Sequence, residues 1–220
     1  MPRIARAVAV GFPHHVTQRG NYRQTVFQND EDYLQYIEWL KQYSKKYTLN
    51  IWAYCLMSNH VHFIVVPMEA DSLAKTFNAL HMRYSQHANM KHDSRGHLWQ
   101  GRFFSCTLDG RHLYAGMRYV ENNPVKARTV KKAEDNRWSS ARAHVRGEAD
   151  AVLAEDCYLV KEIRDWSAYL SDKEDAVLVE DIRQSTRTGR PCGDDRFITG
   201  LESLLGRRLI ALPRGRPRRK

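Results

Sequence analysis

Residues 49–67 read LNIWAYCLMSNHVHFIVVP, and the fold follows from how this stretch is divided. Leu49–Met57 is rich in strand-forming residues, Ser58 and Asn59 make a tight polar turn, and His60–Pro67 is a second apolar run, so the two runs pair as a hairpin. Side chains alternate along a strand. His60 and His62 therefore project from one face, about 6 to 7 Å apart at Cα, while Val61 points the other way into a core.

Working outward, HHVTQRG from His14 to Gly20 reads as an earlier strand, followed by a loop to Gln28. Asn29 or Asp30 caps a helix with Glu31 and Asp32 in its first turn, a stripe of Tyr33, Ile37, Leu40 and Tyr43, and an end at Lys45 and Lys46. Downstream of the hairpin, Asp71 or Ser72 starts a second helix with the stripe Leu73, Phe77, Leu80, Tyr84 and Ala88. Leu98–Leu108 reads as a fourth strand and Arg111–Asn123 as a third helix. The order strand, helix, strand, strand, helix, strand, helix is the split βαβ pattern, an α+β antiparallel sheet with helices on one face. The chemistry-bearing domain is expected over residues 1–147. Residues 148–220 form a C-terminal helical extension, in which Asp194 or Asp195 caps a last helix ahead of a basic tail.

The 220 residues carry a formal charge of +10, which calls for a polyanionic partner; nucleic acid fits better than an anionic membrane because no basic amphipathic helix is evident. Seven of the lysines and arginines lie in residues 201–220 against one glutamate. Arg214, Arg216 and Arg218 belong to the PRGRPRRK tail, which matches the core of a minor-groove AT-hook and serves equally for nonspecific phosphate binding. No apolar run approaches a spanning helix, and a cytoplasmic protein is expected. The four cysteines are scattered without a CxxC pair, so a zinc knuckle or redox motif is not supported.

Two same-face histidines suit one divalent metal, yet ordinary packed or surface strands carry such pairs too. Tyr119 and Asn123 are four apart on the third helix, which stacks phenol and amide on one face unless Pro124 ends the helix at Asn123. A phenol is a poor nucleophile until a metal polarises its target; alternatively Tyr119 is a core aromatic. Arg19, Arg23, Arg83, Arg102 and Arg118 could contact phosphates and Tyr22, Tyr84, Trp99 and Phe103 could stack on unpaired bases, or Tyr84, Trp99 and Phe103 instead fill the core.

The pieces HHVTQRGN, YCLMSNHVHFIVVP, GHLWQGRFFS, RYVENNPVKAR and RWSS, in this order over residues 10–145, resemble the HUH single-tyrosine transposases, and most closely the bacterial REP-associated tyrosine transposases. The resemblance implies a ferredoxin-like sheet, His60 and His62 as ligands of Mg²⁺ or Mn²⁺, Asn123 at the place of a polar third ligand, and Tyr119 as the nucleophile. It also implies single-stranded and hairpin DNA of the REP palindrome type as partner, a 5′-phosphotyrosine intermediate, and a bacterial, nucleoid-associated location. A monomer is expected over a homodimer. Two other readings stand beside this one. The first is a DNA-hairpin binder or repressor without chemistry, which has no need of the histidine pair and phenol; the second is a metal hydrolase, which needs a carboxylate near the histidines, with Glu121 or Asp109 the distant candidates.

Overall fold

The two runs around the histidine pair become β2 (Leu49–Met57) and β3 (His60–Pro67), paired antiparallel across the Ser58–Asn59 turn, in a computed structural model that describes residues 6–210. β1 (His14–Arg19) pairs with the other side of β3, and β4 (Phe104–Thr107) with β1, giving an antiparallel sheet in the order β2-β3-β1-β4. This is the expected α+β, ferredoxin-like arrangement. Arg214, Arg216 and Arg218 of the basic tail lie outside the described residues.

The helices cover both faces of the sheet, a correction to the one-face expectation. α1 (Asp30–Lys46) and α2 (Ser72–Lys91) pack on the face carrying Val16, Leu56, Val61, Phe63 and Val65. The opposite face carries Ala53, Cys55, Ile64, Val66 and Cys106, and it is closed by α3 (Gly110–Glu121) and α8 (Ala176–Thr188). The reason lies in β3, where FIVV is apolar on consecutive rather than alternate positions, so both faces need cover.

Between α3 and α8 the chain forms the short helices α4 (Asn123–Lys126), α5 (Ala141–Arg146), α6 (Leu159–Glu162) and α7 (Trp166–Ser171). Cys157, Leu159, Trp166, Leu170, Val179 and Ile182 of this region share one core with β2, β3 and α3. The last helix, α9 (Asp195–Leu205), is capped by the Asp194 side chain and ends at Gly206 in the left-handed region. The four cysteines are free and buried. No helix among the described residues is long and apolar enough to cross a membrane.

Three local expectations change. The α1 cap is Asn29, but the buried stripe is Tyr36, Trp39 and Leu40, leaving Tyr33 and Ile37 at its edge. The fourth strand begins only at Phe104; Leu98–Phe103 is loop, with Gly101 at φ 85° and Trp99 and Phe103 turned into the core. The third helix stops at Glu121, and Pro124 sits in the first turn of α4 instead of merely ending α3.

Gly20 fixes where β1 ends. Its N–H donates to the Asn59 carbonyl at 2.8 Å, and a Cβ there would meet the Gln24 carbonyl oxygen at 2.5 Å and Val26 Cγ2 at 2.9 Å. Only glycine allows this approach, which presses the following loop onto the turn that precedes His60.

Candidate active site

Alternation on β3 and its register with β1 assemble the site. His60 and His62 share a face with ring centroids 5.0 Å apart. Across the strand pair, His15 stacks on His62 at 5.2 Å with an interplanar angle of 19°. Tyr119, from α3, meets His62 edge-on at 5.4 Å and His15 at 5.8 Å. A cleft of about 310 Å³ opens over His15, His62 and Tyr119, lined also by Thr17, Arg19, Gln100 and Phe104 and by Arg183, Thr186 and Arg187 on α8.

Burial sets the charge of the histidines. Desolvation lowers His60 to about 4 and His15 to about 3, and it carries His62 well below its ordinary value, with the neighbouring His15 next in effect. All three rings are therefore neutral at pH 7, the form in which imidazole ligates a metal. His60 Nδ1–H donates to Asn59 Oδ1 at 2.6 Å, while the Asn59 amide nitrogen donates to the Arg23 carbonyl, so the lone pair of His60 sits on Nε2.

The donor set fits a divalent ion held at two corners. Among the described residues no three His, Cys, Asp or Glu side chains converge on one point, so remaining positions fall to water, substrate oxygens or an amide. Asn123 Nδ2 donates back to the carbonyls of Tyr119 at 2.8 Å and Val120 at 3.4 Å, which leaves Oδ1 as its acceptor atom.

Tyr119 is buried, and two cations lie over its ring: Lys126 Nζ at 4.4 Å and the Arg183 guanidinium at 5.3 Å from the centroid. The Tyr119 hydroxyl beside it is the first cause that raises Arg183 above the ordinary arginine value. Burial lowers Lys126, offset by its contact with Glu174. Neither carboxylate considered for a hydrolase lines the cleft. Glu121 is fully buried and hydrogen bonded to Ser140, His144 and Trp166, and Asp109 caps α3 through the His112 amide.

The expected arginines divide. Arg19 is in the cleft. Arg23 is exposed in the left-handed region at φ 60°, beside Tyr22 at φ 50° and 93 % exposed. Arg102 lines two adjoining hollows beside Phe103. Arg83 instead lies over Trp39 at 4.6 Å and donates to Gln42 and Tyr43, on the helix pair behind the sheet. Arg118 is likewise spent: it stacks on Tyr169 at 4.5 Å and donates to the carbonyls of Tyr169 and Lys173. Sequence reading gave no role to His15, and it missed Lys126, Arg183, Thr186 and Arg187. The alternation of His15 with Thr17 was a usable signal, but only the register Thr17↔His62 makes it point at the pair.

A sheet with a same-face histidine pair beside a helix-borne tyrosine defines the HUH single-tyrosine transposase superfamily. The chain belongs to the IS200-like transposase family, whose model, described as "Transposase IS200 like", matches residues 10–123, just over half of the 220. Its fold is similar to that of a solved REP-associated tyrosine transposase bound to a REP hairpin, at 21% identity and TM-score 0.54, over 71% of this chain and 93% of that one. A candidate transposase of Deinococcus radiodurans R1 is more distant, at 18% identity and TM-score 0.38, over 55% of this chain and 97% of that one. Among curated proteins nothing matches significantly.

Proposed function

We propose that the protein nicks and rejoins single-stranded DNA at REP-type hairpins through a 5′-phosphotyrosine intermediate on Tyr119. The observation that carries this reading is the cleft in which Tyr119 lies 5.4 Å from His62, ring centre to ring centre, with Arg19, Arg183 and Arg187 around them. A bound Mg²⁺ or Mn²⁺, held by His60 and His62 with Asn123 as third candidate, would polarise the scissile phosphate. Tyr119 Oη attacks phosphorus, the bond from phosphorus to the 3′ oxygen breaks, the phenolic proton is lost, and the departing 3′ oxygen takes up a proton. Arg183 and Lys126 offset charge on the phenol oxygen and on the phosphoryl group as the bond forms. Rejoining reverses these steps with another 3′-hydroxyl.

Arg19, Arg23, Arg102, Arg183 and Arg187 supply the basic track for single-stranded DNA, with Arg214, Arg216 and Arg218 of the tail as a further arm. Tyr22, held out by a left-handed backbone, serves as a stacking platform for an unpaired base. Tyr84, Trp99 and Phe103 are buried and fill the core. We read the acting form as a monomer in a bacterial cytoplasm, near the nucleoid, with residues 1–147 carrying the histidine pair and Tyr119, and 148–220 as an extension whose α8 adds Arg183, Thr186 and Arg187 to the cleft.

The test is incubation of the wild-type protein and Tyr119→Phe with labelled hairpin oligonucleotides from its genomic neighbourhood, in Mn²⁺ or EDTA. Metal-dependent nicking with a denaturation-resistant adduct, both absent in Tyr119→Phe, is the expected result. Cleavage that survives Tyr119→Phe would remove the tyrosine mechanism, and tight binding without cleavage would favour a non-catalytic hairpin binder.

A further inference from the structure

His62 is the inner end of a buried hydrogen-bond chain that leaves the β-sheet and ends on α8. His62 Nδ1 lies 2.9 Å from His15 Nε2, and His15 Nδ1 lies 2.7 Å from Thr186 Oγ1. Thr186 Oγ1 lies 3.1 Å from Cys106 Sγ, which in turn faces the Ile182 carbonyl at 3.9 Å. His15 and Thr186 are 2 % and 3 % exposed, so solvent does not substitute for any link.

Such a chain can run in two directions, and the choice fixes the chemistry of His62. If His15 Nε2–H donates inward, His62 carries its hydrogen on Nε2 and offers no lone pair for a metal. If His62 Nδ1–H donates outward, Nε2 is left with a lone pair; His15 then donates from Nδ1 to Thr186, and Thr186 donates to the Cys106 sulfur.

Ligation of a metal through His62 Nε2 requires the second direction, and the far end accommodates it. The Ile182 carbonyl, 3.9 Å from the Cys106 sulfur, can take the S–H, and the sulfur can then accept from Thr186 at 3.1 Å. Burial raises the Cys106 thiol above its ordinary range, so the sulfur keeps its hydrogen. The outcome mirrors His60, where Asn59 Oδ1 accepts from Nδ1–H and leaves Nε2 free.

We propose that His15 and Thr186 are positioning residues that hold His62 in the Nδ1–H tautomer, so that Nε2 presents its lone pair to a divalent cation. The proposal rests on the reading of His60 and His62 as metal ligands. It gives α8, which lies beyond the residues matched by the family model, a part in building the site. Outer hydrogen-bond partners of ligating histidines typically change metal affinity by about 10- to 100-fold when removed.

The experiment uses the intact chain. Long-range ¹H–¹⁵N correlation spectra assign the His62 tautomer, and Mn²⁺ titration followed by electron paramagnetic resonance gives affinity for wild type, Thr186→Val, Thr186→Ser and His62→Ala. The expected result is a pyridine-type Nε2 on His62 in the metal-free wild type. Thr186→Val, which keeps the side-chain shape, should perturb that tautomer and weaken Mn²⁺ by about tenfold, and Thr186→Ser should restore both. An Nε2–H His62 in the wild type overturns the proposal and leaves the metal reading standing. Weakened Mn²⁺ in Thr186→Val with an unchanged tautomer also overturns it, as does a Thr186→Val with wild-type affinity. Mn²⁺ binding that survives His62→Ala removes the metal reading, and the proposal with it.

Discussion

Tyr119 lies between a histidine stack and two cations, and the cations differ in what holds them. Lys126 is paired with Glu174, which divides its charge between partners. Arg183 has a guanidinium over the ring and faces the cleft, with Glu180 as a more distant partner at 3.6 Å. In the proposed reaction the phenol oxygen, neutral at rest, gives up its proton, and the phosphoryl oxygens, which share one negative charge in the ground state, gain more beside Arg183 as the bond forms. An interaction made chiefly in the transition state changes kcat more than binding. Arg183→Gln should therefore slow single-turnover cleavage of a hairpin substrate by about 10- to 100-fold. Hairpin affinity, read by fluorescence anisotropy, should change by no more than roughly threefold, because several cations share the phosphates. Equal losses in rate and affinity would instead make Arg183 an ordinary phosphate contact.

The tyrosine helix holds its place through two features of its inner face. Gly116 sits where a Cβ would come within 3.1 Å of Leu108 Cδ1 and 3.3 Å of Ile64 Cδ1, so α3 lies directly on the sheet one turn before Tyr119. Glu121, two residues beyond Tyr119, is buried and joins α3 to α5 and α7: the Trp166 Nε1–H donates to it at 2.7 Å, His144 Nδ1 contacts it at 2.7 Å, and the Ser140 hydroxyl donates to it. Glu121→Ala would leave those groups buried without their partner. The expected loss is about 3 kcal/mol of stability, measured as a shift in the urea midpoint, and an unchanged midpoint would show that water replaces the carboxyl. The hairpin and α2 were legible in the sequence because their apolar positions keep one period and end at recognisable turn or cap residues. α1 was less so, since Tyr33, Tyr36, Ile37, Trp39, Leu40 and Tyr43 offer overlapping stripes and only packing against α2 chooses among them. Leu98–Phe103 read as strand from composition, whereas Gly101 at positive φ turns its aromatics into the core.

At the scale of the whole molecule, the histidine pair and the tyrosine were legible as motifs, while the side chains that join them from α8 were not. Residues 176–188 show an amphipathic stripe, but nothing local says that its apolar face meets β4 and α3 or that its polar side faces His15. The opposite face of the sheet also buries histidines away from the metal pair, and these add to the response of the protein to acid. His14 is fully buried; its Nδ1–H donates to the Phe12 carbonyl at 2.8 Å, and its Nε2 accepts from the Ala9 amide and the Thr107 hydroxyl. His81 is buried against Tyr36, Phe77 and Trp99. Desolvation lowers His14 from 6.5 to about 4 and His81 to about 3. A depressed folded-state pKa means that the unfolded chain binds more protons below pH 6.5, so these groups favour folding fully above that pH and progressively less beneath it. The contribution of His14 falls by about 1.4 kcal/mol per pH unit and levels off near pH 4, a total on the order of 3 kcal/mol. His81 continues to fall to about pH 3, for a total on the order of 5 kcal/mol. The urea midpoint should accordingly hold steady from pH 8 to about pH 7 and drop steeply between about pH 6 and pH 4. His14→Asn should be less stable than wild type at pH 7.5 yet have a shallower slope near pH 5, by about one proton. A His14→Asn slope equal to that of the wild type would mean that this ring becomes protonated within the fold, and that its lowered pKa does not govern acid unfolding.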